Sequence, residues 1–348
     1  MSSARLGSVL SHYRLAFAFT GLIAAAVFWA SGASALVPLL ALAVIEITFS
    51  FENAVINSQV LAGLSKFWRI MFLTVGIAIA VFGVRLLLPL VLVSSTTGSS
   101  LGHVVDLALN QPDLYAEELE SAYPVIAAFG GVFLLMIGLR FFGEKKEVMW
   151  LDTVEAPLAE FNQPWWVTLV GASGAATVVY LVLAPGEARV LIAALLGAVT
   201  FVAIKLLSWL LLRHQIKQAK ADQAHRHIAH GWAGLAQFMY LELLDASFSF
   251  DGVIASFAIT KQVLLIAAGL GIGAMFVRSI TLHLLQRGTL AHYRYLVHGA
   301  HYAITALAVL MLASIRLDIP EVVSGCLGLV IIAASLISSS RENAREVA

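Results

Sequence analysis

The chain has 348 residues, of which 60% are hydrophobic and 12% charged, and its mean hydropathy is +0.90. Soluble domains average about 45–50% apolar and about 25% charged, so this composition excludes a soluble globular enzyme and a disordered chain and points to a polytopic membrane protein. Lys and Arg number 21, as do Asp and Glu. That balance leaves no basic surface for nucleic acid, and the lone cysteine, Cys326, admits no intramolecular disulfide.

At the N-terminus, Arg5 and Arg14 precede an apolar stretch, and Ala33-Ser34-Ala35 has the small residues of a signal-peptidase site. A counterpart stretch in the second half argues that the first is retained as a span. A span needs about 20 mostly apolar residues. That length predicts ten: 14–31, 36–61, 68–93, 122–142, 165–184, 189–212, 232–258, 262–286, 292–315 and 320–339. All seven tryptophans (Trp29, Trp68, Trp150, Trp165, Trp166, Trp209 and Trp232) fall at or near predicted ends, as interfacial rings do.

With the N-terminus inside, fifteen Lys and Arg fall in cytoplasmic segments and three (Arg189, Lys261 and Arg316) in outside loops. The positive-inside rule therefore places both termini in the cytoplasm, in an inner or plasma membrane. The long outside loop 94–121 is acidic, with Asp106, Asp113, Glu117, Glu118 and Glu120. Segment 213–230 carries His214, His225, His227 and His230. It reads as a solvated cytoplasmic linker, with a regulatory metal-binding loop as the alternative.

The chain repeats itself. Glu46-Ile-Thr-Phe-Ser-Phe-Glu52-Asn53 in span two aligns with Asp245-Ala-Ser-Phe-Ser-Phe-Asp251-Gly252 in span seven. Gly76 precedes Arg85 by nine residues, as Gly269 precedes Arg278. The halves are spans one to five, about 14–184, and spans six to ten, about 189–339. The second half contains the linker 213–230 and continues over 232–339. Five spans is an odd number, so the second repeat enters the membrane inverted. The expected fold is all-α, with about ten transmembrane helices in two inverted-topology repeats, an architecture that recurs in transporters.

Glu46, Glu52, Glu242, Asp245, Asp251, Arg85 and Arg278 all fall within apolar spans. An ionised side chain at the bilayer centre costs at least about 2.5–3.5 kcal/mol, so these residues must pair, line a cavity or bind an ion. Glu46, Ser50, Asn53 and Asn57 share one helical stripe, and Glu242, Asp245, Ser249, Gly252 and Ser256 the equivalent one. Glu52 and Asp251 fall about 120° away, which requires an unwound helix or a second partner face. The structural alternative is that Glu52–Arg85 and Asp251–Arg278 are ion pairs joining neighbouring helices. Glu242 is a weaker candidate, because the aligned position is Ala43.

Carboxylate, amide and hydroxyl donors suit a hard divalent cation such as Mg²⁺, Ca²⁺ or Mn²⁺. The candidate metal ligands are Glu46, Ser50, Glu52, Asn53, Glu242, Asp245, Ser249 and Asp251. Arg85 and Arg278 balance charge or gate. His298 and His301, one turn apart, are candidates for a proton path. Five acids against two arginines leave three negative charges, so cation entry should release protons. Lys205 lies close enough to a span end to snorkel. Gly269, Gly271 and Gly273 imitate a phosphate loop but have no preceding strand, so close helix packing is expected. Gly171 to Ala176 reads as a packing face for the same reason.

These motifs resemble the TerC family of integral membrane proteins, over roughly 36–90 and 232–315. Glu46, Ser50, Glu52 and Asn53 correspond to the family's first motif, and Asp245, Ser249, Asp251 and Gly252 to its second. Glu52 departs from the family's usual Asp, and spans one, five, six and ten mark a divergent branch. The resemblance implies Mn²⁺ export. The expected function is a secondary transporter that exports a divalent cation, Mn²⁺ favoured, by alternating access with proton coupling. No enzymatic activity and no tightly bound cofactor are expected. The metal ion and the bilayer are the expected partners, with homo-oligomerisation open. A membrane scaffold, an intramembrane aspartyl-type hydrolase using Asp245 and Asp251, and an organic-solute exporter are the alternatives.

Overall fold

The computed structural model describes residues 3–160, 165–219, 228–287 and 292–347. Within the linker, residues 220–227, with His225 and His227, lie outside the described residues, as does the side chain of His214. Every regular element among the described residues is helical, and one isolated bridge joins Leu64 to Ala229.

The helices are α1 (Ser3–Ser31), α2 (Leu36–Phe49), α3 (Phe51–Ala62), α4 (Lys66–Leu73) and α5 (Val75–Ala78). A π-helical segment, Ile79–Leu87, leads into α6 (Leu88–Thr97), followed by α7 (Leu101–Asn110), α8 (Pro112–Phe142) and α9 (Asp152–Glu160). Next come α10 (Trp165–Val178), extended by a π turn to Leu183, then α11 (Ala188–Ala219) and α12 (Gly231–Ser256). The chain closes with α13 (Val263–Arg287), α14 (Leu296–Ala313) and α15 (Glu321–Val347).

The protein is an all-α, multi-pass membrane fold. Among the described residues seven helices, counting Lys66–Thr97 as one, are long and apolar enough to cross a bilayer, and the bent α2–α3 pair makes an eighth. The sequence predicts ten. The other two stretches are also helical: the described apolar run of α10 and its π turn is Val170–Leu183, and α12 carries Glu242, Asp245 and Asp251. Large side chains such as Leu22, Phe82, Val199 and Val330 are exposed, which is the surface a bilayer covers.

Two expected loops contain helix. Within 94–121, Ser100 caps α7 by accepting the His103 N–H at 3.3 Å, and Pro112 opens α8, where its fixed φ suits the first turn. Between α8 and α10 lies α9. Trp68, expected at an interface, is buried against Phe238, with ring centroids 5.6 Å apart.

Small residues set the packing, as is usual where lipid removes the hydrophobic drive between helices. A side chain on Gly131 would strike Leu312, and one on Gly138 would strike Thr305, so α8 and α14 approach closely. Gly269 and Gly273 press on Leu42 and Glu46, and Gly271 on Val81, as expected for packing glycines. Ala172 and Ala176 are buried, with Leu139 close to Gly171, whereas Gly174 faces open space.

Helix α2 packs along α13, and α12 along the π segment and α4. Helix α14 packs on α3, and α12 on α8. The π segment meets α13, and α8 meets α14. These neighbours surround the charged side chains. Outside that set, α1 lies on α13 with Phe17 edge-on to Phe276, while α11 lies on α8.

Candidate functional site

The α2–α3 helix bends by 55° at Ser50, whose backbone leaves the helical region at φ −103 and ψ 17. The sequence offset between Glu46 and Glu52 left an unwound helix or a second partner face open, and in this half the helix bends. Ser50 Oγ donates to Glu46 Oε1 at 3.0 Å. The equivalent stretch of α12 runs unbroken through Ser249 to Ser256.

At this bend five charged groups alternate in sign. Arg85 Nη2 donates to Glu46 Oε1 at 2.5 Å, and Arg85 Nη1 lies 3.8 Å from Asp245 Oδ2. Arg278 Nη2 lies 3.9 Å from the same Asp245 oxygen and 3.4 Å from Glu242 Oε2. The order is therefore Glu46, Arg85, Asp245, Arg278, Glu242, and all five are buried. Asn53 Nδ2 donates to Asp245 Oδ1 at 2.8 Å, which joins α3 to α12.

Backbone irregularity holds the arginines. Arg85 sits in the π segment and donates from Nη1 to Ala80 O at 2.9 Å. Thr74 interrupts the helix between α4 and α5, at φ −114 and ψ −76. Arg278 donates to two carbonyls beside this break, Phe72 O at 2.5 Å and Gly76 O at 2.8 Å, and its guanidinium lies 4.0 Å over the Phe72 ring. Carbonyls at helix breaks need such donors. Gly76 leaves the room required: a Cβ there would collide with Glu242 Oε1 and Arg278 Nη1.

The pairing corrects the sequence reading. Arg85 serves Glu46 and Asp245 rather than Glu52, because the bend and the helical offset turn Glu52 away. Glu52 is buried at 3% exposure, with Oε1 3.3 Å from where a Cβ on Gly328 would stand. No cation lies within ion-pair distance of Glu52 among the described residues. Arg278 serves Glu242 and Asp245, so Glu242, the weaker candidate, is a full member of the network. The side chain of Asp251 lies outside the described residues. A cavity of about 30 Å³ bounded by Glu46, Ser50, Glu52 and Gly252 adjoins the network. That is room for roughly one water.

Among the described residues no group of three or more His, Cys, Asp and Glu is arranged to hold a metal. Guanidinium groups separate the three network acids. Carboxylate, hydroxyl and amide oxygens nonetheless remain: Asn53 Oδ1, Asp245 Oδ2 and Ser249 Oγ are buried with no hydrogen-bond partner among the described residues. The donor chemistry fits a hard cation, while the arginines hold the acids that would bind it.

The two histidines stand elsewhere. His298 Nε2 lies 2.9 Å from Val148 O and 3.4 Å from Glu155 Oε2. His301 Nδ1 lies 2.8 Å from Val297 O, and its ring stacks on Phe141 at 3.7 Å. Glu155 on α9 is fully buried. It accepts the Trp150 N–H at 3.2 Å and pairs with Lys146 at 3.5 Å. Burial holds the Lys146 ammonium below its usual range, opposed by Glu155. Sequence reasoning missed this cluster, since Glu155 lies in a polar segment with no mark of burial. Lys205 Nζ sits 5.0 Å over the Tyr240 ring and lines a cavity of about 220 Å³ with Gln59, Arg140, Glu144 and His301.

No curated protein and no solved structure matches the chain. A family model described as "Protein of unknown function (DUF475)" matches residues 51–346, from the helix bend almost to the C-terminus. With most of its length inside that match, the chain belongs to the DUF475 family.

Proposed function

We propose that the protein is a secondary transporter for a divalent cation, built from two inverted repeats and working by alternating access. The observation that carries this reading is Asp245. One carboxylate oxygen faces two guanidinium groups at 3.8 and 3.9 Å without a hydrogen bond, and the other binds Asn53 across the two halves. A cation arriving at that oxygen competes with Arg85 and Arg278 for the same acid. The arginines then move toward Glu46 and Glu242, which already hold them.

The packing supports the repeat. Exchanging the halves carries the α2–α13 contact to α12 on the π segment and the α14–α3 contact to α12 on α8. Contacts of α1 and α11 do not follow that exchange, so the repeat is tightest in spans two to four and seven to nine. Proton coupling follows from charge balance, since a divalent cation entering a dry site with excess acid displaces protons. Mn²⁺ is favoured by the resemblance to TerC proteins, and the positive-inside charge bias favours cytoplasmic termini. Asp245, already engaged by an amide and two guanidinium groups, is a poor general base for a hydrolase.

The test is Mn²⁺ entry into proteoliposomes, read by an internal metal dye, with and without a pH gradient. Wild type should carry Mn²⁺, and Asp245→Asn and Glu46→Gln should abolish the flux. Folded wild-type protein that moves none of Mn²⁺, Ca²⁺ or Mg²⁺ would end the transporter reading and favour a scaffold.

A further inference from the structure

Five helices converge on the polar cavity of about 220 Å³, and none of the five charged network residues lines it. Gln59 comes from α3, Arg140 from α8 with Glu144 just beyond its end, Lys205 from α11, Tyr240 from α12 and His301 from α14. Its charges do not balance. Arg140 Nε pairs with Glu144 Oε1 at 2.8 Å, one turn along the chain. That pair engages the one carboxylate of the lining and leaves both Nη groups of Arg140 without a hydrogen bond among the described residues. Lys205 has no carboxylate within ion-pair distance among the described residues. Its ammonium stands over ring faces instead, 5.0 Å from Tyr240 and 5.8 Å from Phe201, with Arg140 and Glu144 both in electrostatic reach. With His301 neutral, the lining carries one net positive charge. Lys205 lies six residues inside the span that ends at Leu211, about 9 Å along the helix, where a charge calls for a counter-charge.

The donors that remain are of one kind. The Lys205 ammonium, the Arg140 Nη groups, the Tyr240 hydroxyl and the Gln59 amide all belong to the lining of one cavity, and none has a hydrogen-bond partner among the described residues. Two cationic donors beside a hydroxyl and an amide are recognition chemistry for a phosphate group. The same two cations repel a metal ion. A phosphate group can come as the free anion or as the headgroup of a bilayer lipid. Leu206, Leu207 and Leu210 beside Lys205 are exposed on α11, and basic pockets between spans at the cytoplasmic face take anionic headgroups.

We propose that Lys205 and Arg140 form a binding site for a phosphate group, separate from the charged network and independent of the transporter reading. Full-length protein in detergent is melted with tryptophan fluorescence as the signal. The probes are inorganic phosphate, against chloride at equal ionic strength, and phosphatidylglycerol, against phosphatidylcholine. At saturation one of them should raise wild-type melting by about 5 °C or more, the scale of a ligand at about 100 times its Kd.

Lys205→Met keeps the side-chain stem. It should raise the half-saturating concentration about tenfold or more, the scale of one charge-assisted hydrogen bond, whereas Glu144→Gln removes the opposing charge and should lower it. A shift with inorganic phosphate assigns the site to the free anion, and a shift with phosphatidylglycerol alone assigns it to a lipid headgroup. No shift with either probe overturns the proposal, and so does a shift that Lys205→Met leaves undiminished. Should Lys205→Met fail to fold, Arg140→Gln is read in its place by the same criterion.

Discussion

Arg85→Gln is the sharpest test of the charged network. Arg85 is 2% exposed and stands between Glu46 and Asp245, at 2.5 and 3.8 Å. The substitution leaves two buried carboxylates facing each other, with only Arg278 near Asp245. Removing one partner of a buried ion pair costs about 3–5 kcal/mol, because the remaining charge stays uncompensated. On the soluble-protein scale of about 2–4 °C per kcal/mol, melting should fall by roughly 10 °C. The seven tryptophans supply the signal for thermal unfolding in detergent. Arg85→Gln/Glu46→Gln removes the orphaned acid along with the arginine, so it should recover at least half of the loss. A double variant that melts no higher than the single one would refute the pairing, and so would a single variant that melts like wild type.

Gly76→Ala drives a methyl into Glu242 and Arg278. It should cost about 1–3 kcal/mol as overpacking and abolish transport in the proteoliposome assay, whereas normal melting would show that the Arg278 contact is loose. Burial lowers the Lys146 value, so between that value and about 10.5 the unfolded chain binds more protons than the folded one. Stability therefore rises with pH through this window. Lys146→Met should flatten that rise in melting curves recorded from pH 8 to pH 11, and an unchanged slope would remove Lys146 as its source. Glu155→Gln weakens the acceptor shared by Lys146 and the Trp150 and Leu151 N–H groups. It should cost about 2 kcal/mol and speed protease cleavage between α8 and α10; an unchanged cleavage rate would show that Glu155 does not hold that segment.

Acids and arginines in apolar runs were legible because their cost in a membrane is large enough to require a purpose, and the duplicated motif located them twice. Their partners were not legible. Whether Arg85 meets Glu46 or Glu52 depends on a 55° bend and a π segment, and neither has a composition of its own. Glu242 was under-read because repeat symmetry offers Ala43 as its counterpart, although Arg278 finds it by geometry. Glu155 was invisible for the opposite reason: an acid in a polar segment raises no question until α9 folds it under Lys146 and His298. The span count differs through the same chemistry, since the acids that make α12 interesting also keep it from passing as a simple apolar span.

One sequence motif adopts two backbones in one molecule. Phe-Ser-Phe bends at Ser50 in the first half and continues as helix through Ser249 in the second. Ser50 Oγ is hydrogen-bonded to Glu46, while Ser249 Oγ has no hydrogen-bond partner among the described residues. In an inverted-repeat transporter the two halves exchange conformations when the site changes sides, so the second state should straighten α2–α3 and bend α12 at Ser249. The helices are 14 and 12 residues long, about 21 and 18 Å at 1.5 Å per residue. Bent by 55° they span about 35 Å end to end, and straight about 39 Å. Spin labels at Leu36 and Ala62, in a Cys326→Ser background, should report a second distance about 4 Å longer, with its population shifted by Mn²⁺. A single distance near 35 Å under every metal and pH condition would make the bend a fixed feature of the fold and remove this mode of alternating access.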